Sequence, residues 1–74
     1  MIVFDKLWII IKNKNLSTYV LREKHGIDGK TIRRIKANKS TTTYTLNKFC
    51  EILDCRLEDI AEYIPDKKIN YKDD

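Results

Sequence analysis

The sequence predicts an all-α domain of five helices, and three observations predict it. Apolar residues recur at three- and four-residue spacing along most of the chain. Only two glycines and one proline interrupt 74 residues. Side chains able to cap a helix stand where one apolar stripe ends and the next begins. At 42% hydrophobic and 35% charged, the composition is that of a globular protein rather than a disordered one. A chain this short forms one domain that buries only about 60% of its unfolded surface. That leaves no room for an enclosed active site, so a binding function is expected in place of catalysis.

Helix one is predicted from Phe4 to Lys14, where Phe4, Leu7, Trp8, Ile10 and Ile11 recur at helical spacing opposite Asp5, Lys6, Lys12 and Lys14. Asn13 to Asn15 ends it. Ser17 caps helix two, from Thr18 to about Lys24, which buries Val20 and Leu21. Gly26 follows and can take the left-handed conformation that terminates a helix. Asp28 caps helix three, from Gly29 to about Ala37, whose apolar stripe is only Ile32 and Ile35. A loop of Asn38, Lys39, Ser40 and Thr41 leads to helix four, capped by Thr42 or Thr43, with Leu46, Phe49, Cys50 and Leu53 on its core face.

After a turn at Asp54 to Arg56, the residues Leu57, Ile60, Ala61 and Ile64 repeat the pattern as helix five. Pro65 ends it by lacking the amide that a continuing helix requires. Ile2, Val3 and Phe4, consecutive and apolar, can equally form a short strand. The domain is thus expected over residues 1–65, with a charged, flexible tail over 66–74. The spacing of Phe4, Trp8, Phe49 and Tyr63 marks them as core rather than as stacking platforms.

The formal charge of +4 is sharply localised. Between Asp28 and Lys39 five basic residues, Lys30, Arg33, Arg34, Lys36 and Lys39, oppose one acid, while the rest of the chain is balanced. A single positive face suits a polyanion. Cys50 and Cys55 are five apart, which on one helix places them on different faces and off any metal or redox spacing, so buried thiols are expected. His25, the one histidine, stands at the end of helix two beside Gly26, with no nucleophile to pair with. Asp5 and Lys6 interrupt the apolar start, so no signal peptide is read, and no run reaches the ~20 residues of a membrane span. A cytoplasmic protein with no membrane, metal, cofactor or small-molecule ligand is the expectation.

The informative stretch is Leu16 to Asn38, two short helices joined at a glycine and locked by Val20, Leu21, Ile27, Ile32 and Ile35. With Ile32 and Ile35 turned inward, Lys30, Thr31, Arg33, Arg34 and Lys36 face outward or flank the interface. A helix about 10–12 Å across fits the major groove of B-form DNA, where Arg and Lys can donate to guanine O6 and N7.

These residues resemble the phage Cro and CI repressor superfamily, also called XRE-type, and within it the short single-domain Cro-like members. The resemblance rests on Ser17, Leu21, Gly26, Ile27, Thr31, Ile32 and Ile35, followed by TLNKFCEILDC (Thr45 to Cys55) and LEDIAEYIP (Leu57 to Pro65). It implies a five-helix, lambda-repressor-like domain whose helix-turn-helix spans about residues 17–37, dimeric on DNA. It also implies that Thr18 touches phosphate, that Gly29, Lys30, Arg33 and Arg34 face the groove beside Asp28, Thr31 and Lys36, and that Lys39, Ser40 and Thr41 belong to a backbone-contacting loop. The expected activity is regulation of transcription, as a repressor, by a homodimer on a pseudo-palindromic double-stranded operator.

Three departures qualify the match. Arg22 stands where many members carry a small residue packed on helix three, Gly29 removes a side chain from a base-reading position, and Arg56 replaces the usual small cap of helix five. Asp59 can still bond back to the Arg56 amide as half of a capping box.

Two other readings stay open at this level. GIDGKTIRRI (Gly26 to Ile35) also resembles the GxxG loop of KH domains, which bind single-stranded nucleic acid on a three-stranded sheet. A helical protein-binding module, of antitoxin or antirepressor type, would instead use the acidic C-terminal half or the apolar start.

Overall fold

A computed structural model describes residues 1–65, in which two dipeptide strands bracket five helices. The order is β1 (Ile2–Val3), α1 (Asp5–Asn13), α2 (Thr18–Glu23), α3 (Gly29–Lys36), α4 (Thr43–Leu53), α5 (Leu57–Ile60) and β2 (Glu62–Tyr63). The tail expected over 66–74 lies outside the described residues.

Local chemistry sets the helix boundaries. Three helices start on an oxygen that takes an otherwise unpaired amide: Ser17 Oγ accepts from the Val20 N–H at 3.2 Å, Asp28 Oδ1 from Thr31 at 2.7 Å, and Thr42 Oγ1 from Thr45 at 3.2 Å. The first four helices each end at a left-handed residue, namely Asn15, Gly26, Asn38 and Asp54, with φ between 52° and 70°. In each case the next amide reaches back into the last turn in the Schellman manner, over five residues for Leu16 to Ile11, Lys39 to Arg34 and Cys55 to Cys50 and over six for Ile27 to Leu21. Three of these four stops are Asn or Asp, whose short polar side chains tolerate the left-handed region better than other side chains do.

The core is one cluster drawn from every helix. Phe4, Leu7, Ile11, Leu21, Ile27, Ile32, Ile35, Phe49, Leu53 and Ile60 are buried, with Trp8, Leu46 and both cysteines half-buried around them. The Asn38 side chain joins the chain's start to the end of α3, its Oδ1 accepting the Phe4 amide at 2.8 Å.

Helix five departs from expectation. It is a single turn that stops at Ile60, not an amphipathic helix running to Pro65. Ala61 is extended, and Glu62–Tyr63 pairs antiparallel with Ile2–Val3 in the register Ile2↔Tyr63 and Val3↔Glu62. The Ile64 amide donates to the Met1 carbonyl at 2.7 Å. A strand partner at the start of the chain therefore satisfies the backbone that a longer helix would have satisfied internally. As a result Leu57, Tyr63 and Ile64 are exposed instead of completing the core. The strand reading of the chain's start holds, and Arg56 N–H donates to Asp59 Oδ2 at 2.9 Å as expected.

The cysteines also differ from the helical reading. Cys55 lies beyond α4, and the left-handed Asp54 turns the chain so that its thiol sits beside that of Cys50. Burial first, then Cys50 and Asp59, push the Cys55 thiol above its ordinary pKa, which favours its protonated form. A KH fold is excluded, since its three-stranded sheet is replaced by helices on both sides of the Gly26 turn. No described helix is long and apolar enough to cross a membrane.

Candidate nucleic-acid interface

The surface of interest is built outward from two isoleucines. Ile32 and Ile35, 4% and 0% exposed, fix the rotation of α3. At about 100° per residue that rotation places Lys30 opposite the buried stripe, with Arg33 and Arg34 on either side of it. All three are exposed, as are Lys36 and Lys39. The only ion pair among the described residues is Arg56 with Glu58, remote in sequence from this cluster, so no described carboxylate forms an ion pair with a cation of α3, although Asp28 feels the charge of Lys30.

A cleft lies along each flank of α3. On the side of the α3–α4 loop, Thr31, Arg34, Ser40, Thr41, Thr42 and Thr45 line about 340 Å³. On the α2 side, Thr18, Arg22, Gly29, Ile32, Arg33 and Lys36 line about 210 Å³. The first is rich in hydroxyls and the second in cations. The two clefts bring together eight of the eleven residues expected to bind. Lys30 crowns the ridge between them, Lys39 follows α3 on the loop, and Asp28 serves a different purpose. Its carboxylate accepts the Thr31 amide, and this bond, followed by the Thr31 hydroxyl, holds its pKa below the usual carboxylate value.

Arg34 is more constrained than its sequence position suggests. Its Nε and Nη2 donate to the Ser40 carbonyl at 3.3 and 3.1 Å, and Nη2 reaches Ser40 Oγ at 3.4 Å. The guanidinium thus braces the loop while keeping its charge and its Nη1 donors. Lys36 is also placed, its ammonium 5.4 Å from the centroid of the Trp8 ring. Trp8 is half-buried, a shelf between core and surface, whereas Phe4 and Phe49 are core and Tyr63 is not.

Sequence reasoning missed Arg22, Thr42 and Thr45 as cleft residues. The run of hydroxyls from Ser40 to Thr43 was a usable signal for the threonines, and the presence of Arg22 where a small residue was expected was one for the arginine.

A buried apolar stripe beneath an exposed basic ridge, on the second helix of a tightly turned pair, defines a helix-turn-helix DNA-binding domain. Residues 6–66 match the Cro/C1-type HTH DNA-binding domain, and the chain belongs to that family, a class of DNA-binding regulators. Its backbone is similar to the crystal structure of the transcriptional regulator VanUg, with a TM-score of 0.79 and 28% identity over 88% of this chain and 87% of that one. No curated protein shows significant sequence similarity to it.

Proposed function

We propose that the domain acts without enzymatic activity as a homodimer that represses transcription by occupying a pseudo-palindromic operator. In this reading α3 enters the major groove, Lys30 and its neighbours meet base edges, and the two flanking clefts face the phosphates of the two strands. The observation that carries the reading is the orientation of α3, isoleucines inward and unpaired cations outward, between two polar clefts. A dimer would set two copies of α3 about 34 Å apart, one helical turn of DNA.

The face for self-association is supported by exposed apolar residues where the start of the chain pairs with the segment after α5. Ile2, Leu57 and Tyr63 are 48%, 53% and 62% exposed, and together with Ala61 they border one shallow depression. Leu57→Asp is expected to leave a folded monomer, seen by sedimentation, because the substituted side chain is exposed at the start.

Selection of bound sequences from random duplex DNA tests the reading as a whole. The expected result is an enriched motif with two inverted half-sites, and an affinity that falls by orders of magnitude between about 50 and 200 mM salt as counterions are released. No enrichment, or a flat response to salt, overturns it.

A further inference from the structure

The two departures at Arg22 and Gly29 occupy the same place. A β-carbon on Gly29 would lie 3.7 Å from Arg22 Cδ and 3.5 Å from Arg33 Nη1, so both arginines extend over the gap that the missing side chain leaves. Gly29 is not in the left-handed region, and backbone conformation therefore does not require glycine there. A β-carbon alone would make only ordinary contact with the two arginines, so what the glycine leaves open is the space a longer side chain would fill. The cleft so formed is lined by three cations, Arg22, Arg33 and Lys36, with the Thr18 hydroxyl at its edge and no acidic side chain. Among the described residues neither the Arg22 nor the Arg33 side chain has an ion-pair or hydrogen-bond partner.

The Arg22 and Arg33 side chains share one cleft that Lys36 also lines, its ammonium held over Trp8, and their like charges repel one another unless an anion lies among them. A guanidinium presents donors in a planar fork that matches phosphate oxygens, and a hydroxyl beside it adds a further donor. We infer that Arg22, acting with Arg33 in the cleft opened by Gly29, binds a backbone phosphate of the DNA duplex. This rests on the DNA-binding reading and adds to it a second phosphate contact from α2, beside the one expected of Thr18, made by a residue outside the predicted site.

The test measures affinity by fluorescence anisotropy on two duplexes of equal length, one selected by the wild-type protein and one unrelated in sequence. Arg22→Ala is expected to weaken binding to both by about tenfold and to reduce the salt slope by about one per bound protomer. Gly29→Leu, which fills the cleft and leaves every charge in place, should weaken both duplexes in the same direction. Thermal unfolding should change little for Arg22→Ala, since that side chain is exposed. If Arg22→Ala binds within twofold of wild type at an unchanged slope, the inference is wrong while the DNA-binding reading stands. Weakening confined to the selected duplex would make Arg22 a base reader and equally overturn the phosphate assignment. Failure of the wild-type protein to bind either duplex would remove the DNA-binding reading and this contact together.

Discussion

Helix α3 buries both of its isoleucines and exposes its cations, whereas α5 exposes Leu57 and hands the chain to a strand that leaves Tyr63 in solvent. One surface offers concentrated charge over a rigid base, and the other offers apolar area with Glu58 and Glu62 at its margin. These surfaces respond to different conditions. Charge-driven binding weakens steeply with salt, while burial of apolar area is insensitive to moderate salt. DNA binding and self-association should therefore separate in a salt titration, and substitutions should damage one without the other.

The largest effect should come from removing what the basic surface stands on. Ile35 is fully buried in the common core, so Ile35→Ala should destabilise the fold by about 2–5 kcal/mol through lost burial and the cavity left behind. Thermal or denaturant unfolding checks this. A loss below about 1 kcal/mol would mean that α3 is not anchored as described, and the contrast with α5 would fail.

Next in size is a change confined to the basic surface. Arg33→Ala and Arg34→Ala should each cost about 1–3 kcal/mol of DNA-binding free energy. Self-association should persist in the double variant, because neither arginine borders the Ile2, Leu57 and Tyr63 depression. The two should also differ. Arg34 holds the Ser40 carbonyl, so Arg34→Lys, with one point donor in place of a fork, should fail to restore binding fully. A double variant with unchanged function would favour a protein-binding module over a DNA-binding one.

The two regions were not equally legible in the sequence. The helix-turn-helix could be read closely because its determinants are local: Ser17 and Asp28 cap helices within three residues, and Gly26 stops one where it stands. The end of α5 is decided by Ile2 and Val3 some sixty positions earlier, and no periodicity in Leu57 to Ile64 records that pairing. The bond from the Phe4 amide to Asn38 is hidden for the same reason. Within the site, residue type marked the basic positions. The bonds from Arg34 to Ser40 and the shared space over Gly29 depend on side-chain paths, which appear only once the helices are packed.

The smallest expected effect sharpens the account of α3 itself. Asp28 accepts the Thr31 amide as a carboxylate, and that bond lowers its pKa from the ordinary value of 3.8. A carboxyl group with a depressed folded-state pKa stabilises the fold above its unfolded-state pKa, and this contribution is lost as pH falls through the folded value. The cap should therefore act in full at neutral pH and fade only in acid below 3.8. Asparagine caps a helix nearly as well and does not titrate. The gap in melting temperature between wild type and Asp28→Asn should accordingly be constant near neutrality and move against wild type in strong acid. Because Arg56 and Asp59 cap α5 by the reverse bond, from backbone amide to a side chain three residues later, Asp59→Asn supplies the matching control at the other surface. A gap for Asp28→Asn that stays flat into strong acid would show that the start of α3 is held by its buried isoleucines alone.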